Sequence, residues 1–337
     1  SGTLSGGVAT FTTSGLSVGS HALTAVYNGN ANYNTSTSAV DTQTVNPAAT
    51  STNLTSAPDP SVFGQAKTLT ATVAVVAPGA GTPTGTVTFF DGATLLGSGT
   101  LSGGVATFTT SGLSVGSHAL TAVYNGNANL TGSTSPVDTQ SVVKASSATA
   151  INVSPDPTVF GQSKALTATV TAVAPGAGTP TGTVTFFIGG IPQAPVPLVG
   201  GVATLTTSTL PVGVRTARAV YNSDANFNGS ASPTVNQTVS KSSTTTALIS
   251  VPNPSAPAQA VVLTATVTPV PPGSGTAAGT VGFFDGATLL GTGTLSGGVA
   301  TFTTSGLSVG SHALTAVYNG NASYNTSTSP VDTHVVM

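Results

Sequence analysis

The sequence predicts an all-β protein, built as a tandem array of two-sheet β-sandwich domains, and three observations support this. Only six Lys and Arg and eight Asp residues stand among 337 positions, with no Glu, so the charged surface of an α-rich fold is missing. The polarity comes from Thr, Ser and Asn instead, and β-branched Thr suits a half-exposed strand. The third observation is a 97-residue repeat, which is the size of one sandwich domain.

The composition also excludes several classes of function. No apolar run approaches the roughly 20 residues of a membrane-spanning helix, so no membrane span is expected. Six cationic side chains are too few for a phosphate-neutralising stripe, so no nucleic-acid partner is expected. A hydrophobic content of 39%, a mean hydropathy of +0.30 and a net charge of −2 are typical of a folded chain rather than a disordered one. The absence of Cys excludes a disulfide scaffold.

The repeat is nearly verbatim in most of the chain. A Gly-Gly-Val-Ala-Thr-Phe segment begins at Gly6, Gly103 and Gly297, and a divergent copy begins at Gly200, so successive copies lie 97 residues apart. Residues 1–32 are identical to residues 98–129. The period predicts four domains: a partial repeat over 1–46 that matches the C-terminal half of a domain, a repeat over 47–143, a divergent repeat over 144–240 and a repeat over 241–337.

Such a chain is typical of a structural array, because a single-site enzyme gains nothing from near-identical copies of its fold. No pattern of catalytic, cofactor-binding or metal-ligating residues stands out in any copy. We therefore expect no enzyme activity, no cofactor and no metal.

Each repeat is predicted to contain about seven strands. The clearest runs over 68–76, where Leu69, Ala71 and Val73 alternate with Thr residues, the pattern of a sheet that is wet on one face. Asp91-Gly92 between two apolar runs predicts a tight hairpin. The other strands of this repeat are predicted over 50–55, 85–90, 93–96, 105–110, 117–124 and 135–143.

The divergent repeat acts as a natural mutation test. Arg218 stands there at the position of Thr121, which predicts that this position faces solvent and that the adjacent Leu120 points inward. Ile188-Gly189 and a Pro-rich run over 191–197 replace the tight hairpin, so we expect a different shape and local specialisation at this place.

Several segments resemble the group 3 family of bacterial immunoglobulin-like (Ig-like) repeats. They are 85–92 (Gly-Thr-Val-Thr-Phe-Phe-Asp-Gly), 104–108, 120–124 and 125–129, and the resemblance extends over the whole chain, with 144–240 matching less well. It implies tandem Ig-like β-sandwich domains in secreted or surface-attached bacterial proteins, where they form stalks, adhesin shafts or other extracellular scaffolds. It implies no common catalytic residue and no shared ligand.

Four histidines are the first candidates for chemistry. His21, His118 and His312 occupy one repeat position, where the divergent copy has Arg215. A metal or general-base role needs partner ligands, and no Cys, Glu or second His lies nearby in the sequence. We interpret the three as polar residues at a strand end, and His334 as an isolated His.

Two further patterns are weaker candidates. Asn125, Asn127 and Asn129 alternate like the ligands of a calcium loop, but calcium prefers carboxylates, so we interpret them as an Asn/Gly turn. Lys67 and Lys164 are equivalent residues near the start of the clearest strand. An intramolecular cross-link from such a buried Lys to Asn or Asp is the disfavoured alternative there, and an intact-mass measurement would reveal it.

The partial repeat leaves two accounts open. Alone, residues 1–46 would leave Phe11, Leu23 and Tyr27 uncovered, together with open sheet edges. The favoured account is that the sequence is an excerpt from a longer array. The other is that strands from another copy complete the half-domain, as in donor-strand assembly, which would build a fibre.

The predicted function is structural. Joints between repeats are short, at 46–49, 143–146 and 240–243, which limits the angle between neighbouring Ig-like domains, the expected partners of each domain. We predict an extracellular array that forms a semi-rigid stalk, shaft or filament on a bacterial surface. The alternative is an adhesin or binding module that recognises glycan or a host or neighbouring surface. Such sites usually present exposed aromatic side chains, and this chain has no Trp and six Tyr.

Overall fold

The computed structural model describes all 337 residues, and every regular element in it is a β-strand. The chain divides into two compact units: Ser1–Ala145 with Ala174–Gly178, and Ser146–Val173 with Thr179–Met337. It contains no helix that could cross a membrane. The predicted all-β class is confirmed.

Residues 1–46 form four short strands. They are β1 (Gly19–Leu23), β2 (Val26–Tyr27), β3 (Ser36–Thr37) and β4 (Asp41–Val45). β1 pairs with β4 and β2 with β3, both antiparallel. Phe11 is 73% exposed and Leu23 39% exposed, so the inner faces of these strands are open, as the sequence predicts.

Residues 47–143 form nine strands, seven of them at least five residues long. They are β5 (Thr50–Ala57), β6 (Ser61–Val62), β7 (Lys67–Val75), β8 (Thr86–Asp91), β9 (Thr94–Thr100), β10 (Val105–Thr110), β11 (Gly116–Tyr124), β12 (Ser133–Thr134) and β13 (Asp138–Val143). One sheet has the order β10-β7-β5 and the other β6-β13-β11-β8-β9, with β12 on β11.

The core of this repeat lies between its two sheets, as the alternating sequence pattern predicts. The fully buried side chains of β7, β8 and β11 are Leu69, Ala71, Val87, Phe89, Leu120 and Ala122. Tyr124 closes one end of the core, and its hydroxyl donates to the Thr84 carbonyl at 2.9 Å. Burial of these residues supplies most of the stabilisation of the sandwich.

Two details differ from the sequence prediction. Pro58 and Pro60 end β5 as predicted, but the chain then crosses to the other sheet, where β6 pairs in parallel with β13. The strand predicted over 135–143 begins only at Asp138, as β13, and Pro136 separates it from the two-residue strand β12 that precedes it. Proline lacks the N–H that a ladder requires, which explains the interruption.

Residues 144–240 repeat this plan with ten strands. They are β14 (Ser147–Ser154), β15 (Thr158–Val159), β16 (Lys164–Ala172), β17 (Thr183–Ile188), β18 (Ile191–Pro192), β19 (Val196–Pro197), β20 (Val202–Thr207), β21 (Gly213–Tyr221), β22 (Ser230–Ala231) and β23 (Val235–Ser240). The sheets are β14-β16-β20 and β15-β23-β21-β17-β18, with β19 on β17 and β22 on β21. The hairpin predicted to differ does so, because its Pro-rich run divides the equivalent of β9 into β18 and β19. Arg218 is exposed, as predicted.

Residues 241–337 contain eight strands. They are β24 (Thr244–Val251), β25 (Val261–Pro269), β26 (Thr280–Asp285), β27 (Thr288–Thr294), β28 (Val299–Thr304), β29 (Gly310–Tyr318), β30 (Ser327–Thr328) and β31 (Asp332–Val336). The sheets are β24-β25-β28 and β27-β26-β29-β30, with β31 on β29.

Candidate functional site

The chain does not gather metal-ligating groups, since no three His, Cys, Asp or Glu side chains come together. Three other features recur at repeat positions instead. They are a joint between consecutive repeats, a histidine–aspartate pair, and a buried lysine cluster.

The joint between 144–240 and 241–337, both in the second unit, centres on one aromatic residue. Phe160 follows β15, and its ring centroid lies 5.4 Å from that of Tyr324 at an interplanar angle of 81°. This edge-to-face contact is the favourable geometry for two rings. Phe160 also packs against the hydrophobic core of 241–337. One repeat therefore contributes a side chain to the core of the next.

A close backbone approach completes this joint. Gly161 has φ +82°, and a Cβ there would lie 2.3 Å from the carbonyl oxygen of Ser274. The Ser274 hydroxyl donates to the Gly161 carbonyl at 2.6 Å, and the Tyr324 hydroxyl donates to the Ser274 carbonyl at 2.9 Å. Only glycine combines this backbone conformation with so close an approach. The joint is thus a specific contact rather than a loose tether.

The sequence analysis missed this joint, although a signal for it exists. Phe63-Gly64 occupies the repeat position of Phe160-Gly161. In the first unit Gly64 has φ +76° and lies against Ala177, whose N–H donates to the Phe63 carbonyl at 3.3 Å. In 241–337 the same position holds Pro257-Ala258. A Phe-Gly pair that recurs with the 97-residue period therefore indicates this contact.

The linker before 241–337 is also fixed. Ser242 is fully buried, its N–H donates to the Ser323 carbonyl at 3.0 Å, and its own carbonyl accepts from the Asn325 N–H at 2.9 Å. Ala48 is held in the same way by Asn129 and Thr131 of its own repeat. The linkers therefore begin as hydrogen-bonded parts of the domains that follow them.

The asparagine turns serve as the anchor for these linkers. The Asn127 side-chain oxygen accepts from the backbone N–H groups of Asn129 and Leu130 at 2.9 and 3.0 Å. Asp224 takes this role in the divergent repeat, and its other oxygen accepts from the N–H and hydroxyl of Thr181. Partial burial acts to raise the pKa of Asp224, but these hydrogen bonds outweigh it and lower the pKa to about 2. The central oxygen of each alternating set, from Asn127 or Asp224, is thus engaged by backbone donors.

Each histidine–aspartate pair joins two neighbouring strands. His118 Nδ1 lies 2.7 Å from Asp91 Oδ2, and its Nε2 lies 2.8 Å from the Ser114 carbonyl. His312 makes the same contacts with Asp285 and Ser308, both at 2.7 Å. Both ring nitrogens of each histidine therefore face an acceptor oxygen, one on a carboxylate and one on a backbone carbonyl.

The interpretation of these histidines as polar residues at a strand end did not include an Asp partner. Asp91 is 27 positions away, and antiparallel pairing of β8 with β11 brings it beside His118. Ile188 and Arg215 replace both members in the divergent repeat. This joint replacement was the signal in the sequence. His21 keeps a contact with the Ser17 carbonyl at 2.6 Å.

The buried lysine cluster lies where the chain crosses between the sheets of 144–240. Lys164 is 1% exposed, and its ammonium group donates to Asp156 Oδ1 at 2.9 Å, Gln237 Oε1 at 2.8 Å and the Thr238 carbonyl at 3.2 Å. Asp156 also accepts from the Thr238 N–H at 2.7 Å. Burial with three acceptors satisfies the ammonium charge. At the equivalent position of the preceding repeat, desolvation lowers the pKa of Lys67.

The last repeat replaces the whole cluster at once. Val261, Asn253 and His334 stand at the positions of Lys164, Asp156 and Gln237. His334 is fully buried, with its ring nitrogens 3.0 Å from the hydroxyls of Ser250 and Ser255. The buried charge and its counter-charge disappear together, so no unpaired charge is left inside the domain.

His312 and His334 should limit the stability of the repeat 241–337 at opposite ends of the pH range. Hydrogen bonds to Ser308 and Asp285 raise the pKa of His312 above 6.5, so its stabilisation is complete below pH 6.5 and is lost as pH rises through the folded-state value. Burial lowers the pKa of His334, outweighing the nearby Asp332, so its stabilisation is present above pH 6.5 and is lost as pH falls. Thermal unfolding of the second unit between about pH 5 and pH 8 should therefore show a maximum near neutrality.

The control for this prediction comes from the other repeats, which carry Gln140 and Gln237 at the position of His334. His334→Gln should remove the loss of stability on the acid side and leave the alkaline side unchanged. An acid side that survives this substitution would show that another group titrates.

Comparison with solved structures gives matches at low similarity. The structure is similar to that of the adhesin FdeC of Escherichia coli, at 18% identity over 85% of this chain and 96% of the other, with a TM-score of 0.27. It is also similar to titin domains A168–A170, at 10% identity over 85% of this chain and 97% of the other, with a TM-score of 0.33. A search of curated proteins gives no match.

The sequence itself matches one domain family in every repeat. The matched segments are 1–46, 54–143, 151–240 and 248–336, which together cover most of the chain. The tandem two-sheet sandwiches described above are the architecture that this match requires. The chain therefore belongs to the bacterial Ig-like domain (group 3) family.

Proposed function

We propose that the chain is a structural extracellular protein whose tandem Ig-like domains form a semi-rigid stalk, shaft or filament on a bacterial surface. The observation that carries the proposal is the insertion of Phe160 against the core of the following repeat. A side chain of one repeat that packs against the core of the next resists bending, because opening the joint would expose its apolar surface to water. The near-verbatim repeats add to this, since copies of one domain extend reach without adding chemistry.

The test of this proposal is the stiffness of the joint. Phe160→Ala removes the ring contact with Tyr324. It should widen the range of angles between the repeats 144–240 and 241–337. Small-angle scattering of the purified chain should then show a wider distribution of maximum dimensions. Electron microscopy of single molecules should show bends at this joint.

The matched control is Tyr33→Ala, because Tyr33 occupies the repeat position of Tyr324 but is 69% exposed. This substitution should leave the scattering curve unchanged. A Phe160→Ala variant as stiff as the parent chain would contradict the stalk proposal, since the joint would then owe nothing to this contact.

Strand complementation of residues 1–46 by another copy is a separate part of the proposal. Phe11 and Leu23 are exposed, whereas the identical residues Phe108 and Leu120 pack against strands of 50–97 in their own repeat. Strands of that sequence, supplied from another copy, would cover the open face and build a fibre. Sedimentation of the purified chain tests this, because a clean monomer at all concentrations removes it.

The second candidate function is an adhesin or binding module. One feature favours it: several surface residues of the divergent repeat differ together from those of the other repeats. The residues concerned lie on one sheet face of 144–240.

A further inference from the structure

The divergent repeat reverses the charge at one end of its outer sheet. In 47–143 this end carries Asp91 on β8 and Asp138 on β13. These strands flank β11, and both residues pair in register with Leu120. At the equivalent positions 144–240 has Ile188 and Val235. The same repeat gains two arginines, Arg215 and Arg218, for His118 and Thr121. Two Asp carboxylates are thus lost from this end and two Arg guanidinium groups are gained.

One row of cross-strand neighbours on the outer face of this sheet also differs between 144–240 and 47–143. In register, the row reads Pro192, Phe187 and Arg218, and Thr234, the residue immediately before β23, lines the same groove. Thr216 lies on the same face, two residues before Arg218. The equivalent row in 47–143 is Leu95, Phe90, Thr121 and Val137, with Ala119 for Thr216. Phe is thus retained, while a guanidinium replaces the hydroxyl of Thr121, and hydroxyl-bearing Thr side chains replace the apolar Ala119 and Val137.

These residues line a groove. Phe187, Gly190, Thr216, Arg218 and Thr234 surround a cavity of about 320 Å³ that is open to solvent. Gly190 has φ +81° and no atom within 4 Å of where a Cβ would stand, so the hairpin leaves the groove open on that side. The Arg218 guanidinium is exposed, makes no hydrogen bond or ion pair within the chain, and is free to bind a ligand.

We propose that this groove is a binding site for an acidic saccharide, a sugar residue that carries a carboxylate or a sulfate group. The guanidinium supplies charge-assisted, bidentate hydrogen bonds to the anionic group. Thr216 and Thr234 can donate to or accept from sugar hydroxyls, and Phe187 offers an apolar surface to the ring. Loss of the two Asp side chains removes the repulsion that an anion would meet at this end of other repeats.

The size of the groove favours a saccharide over a protein partner. Its volume is near the low end of the roughly 300–1,000 Å³ of ligand pockets, room for about one sugar residue. Two of the carboxylates that another copy could offer are already engaged, because Asp91 and Asp285 pair with His118 and His312. A second copy of the chain is therefore the disfavoured occupant, and the experiment below distinguishes it.

Calorimetric titration of the full chain with oligogalacturonate and with a sulfated oligosaccharide tests the proposal at low ionic strength. At least one of the two should bind, and the other reports whether the site accepts both anionic groups. The methyl ester of oligogalacturonate has the same sugar ring without the charge and should bind at least tenfold more weakly, as expected when a charged partner is lost.

The three groove variants take their residues from the other repeats, so folding should be preserved. Arg218→Thr should weaken binding about tenfold or more, and Thr216→Ala and Thr234→Val should each weaken it by a smaller factor of about three. Lys241→Thr removes one positive charge from an exposed site outside the groove and should leave binding unchanged. Each variant should unfold at the temperature of the parent chain.

Three outcomes would overturn the assignment. Neither acidic saccharide binds at millimolar concentration, or the ester binds as well as the acid, or Lys241→Thr weakens binding as much as Arg218→Thr does. A fourth outcome is self-association in sedimentation that Arg218→Thr abolishes, without any saccharide binding. That result would assign the face to a second copy of the chain.

Discussion

Phe89→Ala should lower the unfolding temperature of the first unit and leave the second unit unchanged. Phe89 is fully buried in the core of 47–143, and its ring lies 5.8 Å from that of Phe108 in a stacked arrangement. Truncating a buried Phe removes apolar contact and leaves a cavity, at a cost of about 3–5 kcal/mol in free energy of unfolding. Differential scanning calorimetry should show one transition moving while the other stays in place.

The matched variant is Phe283→Ala, which alters the equivalent residue of the second unit. Phe283 is also fully buried, and its ring lies 5.9 Å from that of Phe302. This substitution should move the other transition by a similar amount. Equal destabilisation of both units by either variant would mean that they unfold as one, contrary to the independent cores described above.

Phe108→Ala provides a graded comparison. Its ring is only partly buried, at the edge of the same core, so this truncation should cost less than that of Phe89, about 2 kcal/mol. The order of the two effects follows burial rather than residue type.

The sequence alone was sufficient to predict the structure where the alternation of neighbouring residues determines it. Leu69 and Ala71 fall on the core face because successive side chains of a strand point to opposite sides, and neighbouring residues alone reveal this. The divergent hairpin was predictable for the same reason, since proline blocks a ladder wherever it stands.

Contacts between distant segments escaped prediction. Asp91 and His118 meet only because two strands pair in a particular register, and Phe160 meets Tyr324 only because one repeat follows another at a fixed angle. Single-residue patterns contain neither fact. What the sequence did contain was joint replacement, in which both members of a pair change in the divergent repeat. Comparing repeats by such pairs, rather than by single positions, would have located the contact between Asp91 and His118.

The same reasoning identifies the buried lysine cluster as an energetic unit, and a double-mutant cycle should show this. Asp156→Asn leaves the ammonium of Lys164, 1% exposed, without its counter-charge, and should cost about 3 kcal/mol of unfolding free energy in the second unit. Lys164→Val should cost less, because the Asp156 carboxylate is 30% exposed and keeps its hydrogen bond from the Thr238 N–H.

The double variant should be more stable than the sum of the two single effects predicts, with a coupling of about 1–3 kcal/mol. The last repeat shows that the combination is compatible with the fold, because Val261 and Asn253 stand at these two positions there. Asn253 also retains the backbone contact, since its side-chain oxygen accepts from the Val335 N–H at 3.1 Å, as Asp156 does from Thr238. Urea unfolding of the four chains gives the cycle. Strict additivity would mean that Lys164 and Asp156 contribute separately, and that the three simultaneous replacements in 241–337 have no energetic basis in this ion pair.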